Sequence, residues 1–148
     1  MSDYGRRIVV DLEFETTASE TSRLIRQEGL KIIARVDVRD HFWGDRSHDL
    51  RRYLLIDAWS SALAVDALRR NLDVGPILPI TFAIYELADG ESVVVAKEPL
   101  APYASNATWR RDFPELAALA DEEAERVARV FTGLTGRSRG APSISPAA

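Results

Sequence analysis

Asp40, His41, Asp45, His48 and Asp49 crowd into one short polar stretch, and together they could do two kinds of chemistry. A neutral imidazole exchanges protons near pH 7, and a carboxylate beside it can orient the ring for general acid–base work. The same nitrogens and oxygens could hold a metal ion, zinc included, without any thiolate. Seven positions separate His41 from His48, unlike the compact His-Glu-x-x-His pair that a single helix presents to zinc. A hydrolase-like or metal-assisted enzyme is therefore an alternative reading, and solvent-facing, salt-bridged or structural histidines are the ordinary one.

Two more acids, Asp37 and Asp57, end predicted strands. If those ends meet, the carboxylates could flank a crevice or couple as a pair. Hydrogen bonds to nearby backbone N–H groups, or to Arg51 and Arg52, are the competing use of the same oxygens. Aromatic residues concentrate nearby as Phe42, Trp43, Tyr53 and Trp59. We expect an apolar small-molecule site lined by Trp59 and Tyr85, with Asp37 or Asp57 fixing a polar group of the ligand. Core packing or a dimer interface would employ the same rings. Tyr85, Tyr103 and Trp109 either close another pocket or anchor the segment before the last helix.

Several classes of chemistry are missing from the 148 residues. There is no cysteine, which removes disulfides, thiolate nucleophiles and Cys-ligated metals together. Ser47-His48 and Ser60-Ser61 lack the Gly-x-Ser-x-Gly frame of a nucleophile elbow. No phosphate-binding Gly-x-x-x-x-Gly-Lys run and no dinucleotide Gly-x-Gly-x-x-Gly occurs, so no cofactor is expected. The net charge of −4 disfavours broad attraction to nucleic acid or anionic membrane. The arginine pairs 6–7, 51–52, 69–70 and 110–111 are dispersed rather than gathered into a groove. With no long apolar run and no apolar leader after Met1, the expectation is a cytoplasmic protein.

These residues must be positioned by a small set of elements. Val10, Leu12 and Phe14 alternate with acids, which predicts a first strand. Thr17-Ala18-Ser19-Glu20 reads as a capping box opening a short helix with Leu24 and Ile25 inside, and Gly29 suits its exit. Leu30 to Val38 alternates again as a second strand, and residues 39–49 have neither period and predict a turn or short helix. Arg51–Trp59, centred on Tyr53-Leu54-Leu55-Ile56, is a third strand. Ser60 or Ser61 then caps a helix with Ala64, Leu68 and Leu72 inward, stopped by Gly75-Pro76. Ile80–Leu87 and Ser92–Ala96 form a hairpin about Asp89-Gly90, a pair suited to positive φ at both central positions. The last helix runs from Pro114 to Phe131 on a stripe of Leu116, Ala120, Ala124, Val127 and Phe131. Beyond Gly133 the chain is rich in Gly, Pro and Ser, so residues 133–148 are expected to be a disordered tail to a domain over 1–132.

In this order the elements carry a resemblance. The β-α-β start, the Asp closing the second strand, Leu54-Leu55-Ile56, Leu78-Pro79 before the hairpin and Glu98-Pro99 after it resemble the DUF302 domain family, from about Ile8 to Phe131. The resemblance implies a compact α+β domain that can self-associate, and it implies no particular activity. The sequence departs from the family pattern at three places. Asp37-Val38 stands where Asp-His is frequent, Ala58-Trp59-Ser60 where Gly-Asn-Pro is, and Val95-Ala96-Lys97-Glu98-Pro99 where a Tyr-Asn-Asp-Pro-like ending is.

The combined expectation is one α+β domain, its mixed or antiparallel sheet carrying helices on one face. Its partners would be a second copy of the chain, a dimer being simplest, and a small-molecule ligand. Non-catalytic ligand binding or regulation leads, ahead of the histidine-loop enzyme and of a purely structural homo-oligomer.

Overall fold

A computed structural model describes residues 4–42, 50–100 and 103–137 of the chain. Five strands, β1 (Arg6–Val10), β2 (Lys31–Asp37), β3 (Tyr53–Trp59), β4 (Ile80–Ala88) and β5 (Glu91–Ala96), join in one sheet. Their order is β1-β5-β4-β3-β2 and every neighbouring pair is antiparallel. The helices are α1 (Phe14–Gln27), α2 (Ser61–Arg70), α3 (Ala107–Asp112) and α4 (Pro114–Thr135), with 3-10 turns at Val38–His41 and Leu72–Ile77. The sheet is thus antiparallel rather than mixed, and the α+β architecture is the expected one.

The strands alternate as period-two patterning requires. On β3, Leu54, Ile56 and Ala58 are buried, and on β4 so are Ile80, Phe82 and Ile84. These side chains share one face with Val94 and Ala96, and they pack with Phe14, Ala18, Leu24 and Ile25 of α1 and Val127, Val130, Phe131 and Leu134 of α4. The Phe82 and Phe131 rings lie 6.5 Å apart in this layer. The opposite face, with Leu55, Ala83, Val95, Tyr53 and Tyr85, stays half-buried.

A second, smaller cluster lies beyond the end of β3. Leu63, Ala64, Ala67, Leu78, Leu100, Leu116 and Ala120 are buried there, with Trp59 and Trp109 packed against them. It belongs to the helical corner made by α2, the 72–77 turn, α3 and the first half of α4.

Four local readings need correction. Phe14 belongs to α1 rather than to a strand, and Thr17 lies inside that helix, its Oγ1 donating to the Leu12 carbonyl at 3.3 Å. The buried stripe of α1 is Phe14, Thr17, Ala18, Thr21, Ser22, Leu24 and Ile25. Its first half is small and polar, so hydrophobicity alone hides it; Gly29 at φ +78° does form the exit. Leu72 is 82% exposed because α2 stops at Arg70 and the chain re-coils as a 3-10 turn. In the β4–β5 hairpin only Gly90 has positive φ, and the ladder shifts register between Glu86 and Ala88. Finally, α4 continues to Thr135 with Leu134 buried, and the Arg137 carbonyl accepts from the Asp11 N–H at 2.6 Å. Packed structure therefore extends past Gly133; residues 138–148 lie outside the described part.

Candidate functional site

The helical corner encloses a cavity of about 490 Å³. Its walls are Ala67, Arg70 and Asn71 at the end of α2, Asp73, Val74 and Ile77 from the 3-10 turn, Leu100 and Tyr103 from the loop after β5, and Trp109, Phe113 and Leu116 from the α3–α4 corner. Each wall has a local cause. The Ser60 hydroxyl accepts from the Leu63 N–H at 3.5 Å to start α2. Asn71, in extended conformation, ends that helix, and its side chain accepts from the Asp73 N–H at 2.9 Å to begin the 3-10 turn. Asn106 caps α3 by accepting from the Trp109 N–H at 2.8 Å. Phe113 breaks α3 from α4 because the residue before a proline is pushed out of helical conformation, while Pro114 fits the first turn of α4.

The aromatic wall is continuous. Ring centroids are 6.3 Å apart between Tyr103 and Trp109 and 6.1 Å between Trp109 and Phe113, both tilted. Tyr103 and Phe113 are 44% and 40% exposed, so apolar ring surface reaches the cavity mouth. Arg110 locks α3 to α4 through both oxygens of Asp121 at 2.5 and 3.0 Å. That bond holds the Asp121 carboxyl below the ordinary carboxylate range and raises the arginine. Arg70 bridges Asp66 at 3.2 Å and Glu115 at 2.6 Å, tying α2 to α4. Leu100, buried at the back of the cavity, has φ +50°, a conformation that costs a non-glycine residue about 1–3 kcal/mol. Its carbonyl accepts from the N–H groups of Tyr103 and Ala104 at 2.7 and 3.1 Å, which holds the turn.

A buried acid lies where the two hydrophobic clusters meet. Glu123 of α4 is fully buried, and its Oε1 accepts from the Ser60 N–H at 2.7 Å. Among the described residues Oε2 has no hydrogen-bond partner. Burial raises the carboxyl to about 7, partly offset by the Ser60 hydrogen bond and by the Arg126 charge. The backbone N–H groups that open α2 favour negative charge at this place. Glu123 therefore anchors the helix whose far end forms the cavity wall.

The sequence profile of DUF302, a domain of unknown function, matches residues 7–134. The chain belongs to the DUF302 family. Among solved structures, the crystal structure of an uncharacterized conserved DUF302 protein from Bacillus stearothermophilus is similar, with a TM-score of 0.65 over 90% of this chain and 99% of that one. Sequence identity is 17%, so the likeness concerns the fold. No curated protein matches the chain.

At the positions where this DUF302 chain departs from the family pattern, the residues have structural partners. Val38 opens the 3-10 turn that follows β2, and the Asp37 side chain caps it by accepting from the Arg39 N–H at 3.1 Å. Ala58 is buried under the sheet, Trp59 packs on the helical-corner cluster, and Ser60 caps α2. Glu98 pairs with Arg6 at 2.9 Å.

The expected site residues do not gather into one place. Because β2 and β3 are antiparallel, Asp37 pairs with Leu54 and Asp57 with Ala34, so the two carboxylates sit toward opposite ends of the ladder. Asp57 accepts instead from the Thr81 hydroxyl at 2.7 Å. Neither acid takes Arg51 or Arg52: Arg51 reaches the Leu87 carbonyl and Arg52 the Glu15 carboxylate. Tyr85 stacks on Tyr53 at 5.5 Å, six residues along β3 from Trp59, or about 20 Å of strand. Trp59 and Tyr85 therefore cannot line one small pocket. Asp40 and His41 are exposed on the 3-10 turn, while Asp45, His48 and Asp49 lie outside the described residues. Among the described residues no group of three His, Cys, Asp or Glu side chains could hold a metal ion, and no helix is long and apolar enough to cross a membrane.

Of Tyr85, Tyr103 and Trp109, expected either to close a pocket or to anchor the segment before the last helix, Tyr103 and Trp109 line the cavity and Tyr85 does not. The expected site residues do not include Phe113, Leu100, Asp73 or the buried Glu123. The four-residue step from Trp109 to Phe113, which puts both rings on one side of a helical turn, was the legible signal for the first. No sequence signal marks Leu100.

Proposed function

We propose that this DUF302 domain is a non-catalytic small-molecule-binding module whose site is the helical-corner cavity. The observation that carries this reading is the aromatic-walled space of about 490 Å³, within the 300–1,000 Å³ range of ordinary ligand sites. Its polar groups are few and stand at the ends of elements, as orientation of a bound molecule requires. Thermal-shift screening of small aromatic compounds on the wild type and on Trp109→Ala tests it. The expected outcome is a concentration-dependent rise in Tm for the wild type that the variant loses. Equal rises in both proteins, or none in either, contradict the reading.

A second reading, self-association, rests on the outer face of the sheet. Leu55, Ala83 and Val95 form its half-buried apolar centre, and no described helix packs over them. In a face-to-face pair with the two-fold axis along β4, β5 of one copy would lie over β3 of the other. Lys97 would then approach Asp57, and Val95 would approach Leu55. Light scattering should give a dimer mass for the wild type and a monomer mass for Leu55→Asp. A wild type that stays monomeric at every concentration contradicts it.

A further inference from the structure

We infer that the cavity selects organic cations, an apolar or aromatic body carrying an ammonium group, over neutral or anionic molecules of the same shape. This rests on the cavity being a ligand site and adds the charge of its occupant. The aromatic wall of Tyr103, Trp109 and Phe113 offers ring faces and edges around one space. Such a wall attracts a cation through the ring quadrupoles, tryptophan most strongly.

The ionic groups point the same way. Arg70 is the positive group lining the cavity, and its guanidinium is already shared by Asp66 and Glu115. Those bonds use Nε and Nη2, so a ligand carboxylate at the remaining donors would meet a guanidinium already neutralised by two acids. Asp73 also lines the cavity, and among the described residues its carboxylate makes no ion pair. Of the two charged residues that line the cavity, the positive one is therefore already neutralised by acids outside the lining, and the negative one is unpaired among the described residues. An ammonium group in this cavity shares its lining with both the rings and Asp73, and pairing with that carboxylate breaks no existing ion pair of the described residues. The partly enclosed ring wall strengthens the cation–ring attraction relative to open water, while the pairing with exposed Asp73 is screened by salt.

The test is calorimetric titration of the full chain with three compounds of nearly equal shape: 2-phenylethylammonium, 2-phenylethanol and phenylacetate. The ammonium compound should bind about tenfold more tightly than the alcohol, an increment that a cation–π contact plus one ion pair supplies, and the carboxylate most weakly. In Asp73→Asn, an exposed change that leaves packing alone, the advantage over the alcohol should fall to about threefold and lose most of its salt dependence. Trp109→Leu, checked for an intact unfolding transition, should weaken all three compounds. If phenylacetate binds as tightly as the ammonium compound and still depends on Trp109, the charge selectivity is wrong and the cavity remains a ligand site. If none of the three gives a saturable heat, both readings fail.

Discussion

The two hydrophobic clusters of this domain are built by the same force and end in different states. Beneath the sheet, residues from four strands and two helices interlock, and Ile56, Ile80, Phe82 and Ile84 are completely removed from solvent. In the helical corner, Leu63, Leu78, Leu100 and Leu116 are as well buried, but a cavity opens beside them under three partly exposed rings. Long strands in register let every inward side chain meet a partner. Short elements broken at Asn71, Phe113 and the strained Leu100 do not close the space between them. One region is therefore closed, and the other keeps the open, ring-walled space on which the proposed ligand binding rests.

The largest effect should come from Phe82→Ala, which empties a ring from the closed cluster and should cost about 3–5 kcal/mol in urea unfolding. The half-buried Trp109 should cost clearly less on change to alanine, roughly 1–2 kcal/mol, because much of its ring already meets solvent. Equal losses for the two variants would break the distinction between the clusters.

The next effect concerns the acid between them. Glu123 keeps its proton in the folded state until about pH 7, whereas the unfolded carboxyl releases it near 4.5. Between those values the folded state binds more protons, so stability falls as pH rises, by about 3 kcal/mol in all. Glu123→Gln retains an acceptor for the Ser60 N–H without the buried charge. It should match the wild type near pH 4.5 and exceed it by about 3 kcal/mol at pH 8, as read from denaturant midpoints. A wild-type curve equally stable at both pH values would remove the burial argument.

A smaller loss, about 0.5–1 kcal/mol, should follow Ser60→Ala, which deletes the hydroxyl capping α2 while leaving the backbone N–H on Glu123. Chemical unfolding at pH 7 measures it. A loss as large as that of Phe82→Ala would mean that the corner depends on its cap more than its long 3.5 Å bond implies.

Much of the sheet was legible because period two is unambiguous where one face is buried: Leu54, Ile56 and Ala58 alternate with half-buried neighbours as their spacing implies. The start of α1 was not, since Thr17, Thr21 and Ser22 fill inward positions that hydrophobicity assigns to apolar residues. Glu123 is hidden for the same reason in reverse, an acid on a stripe otherwise apolar. The strand-end acids Asp37 and Asp57 looked like partners because the pairing direction of β2 and β3 is not written in either strand. The cavity requires the end of α2, the 72–77 turn, the loop after β5 and the α3–α4 corner to meet, a tertiary fact that only Trp109 and Tyr103 hint at in sequence.

Methyl-resolved NMR during titration with 2-phenylethylammonium distinguishes a ligand in the helical corner from one in the sheet core. Binding in the corner should give saturable shifts for Ile77, Leu100 and Leu116, with Leu54, Ile56, Ile84 and Val94 unmoved. Shifts spread over both clusters, or none in the corner up to millimolar ligand, would contradict it.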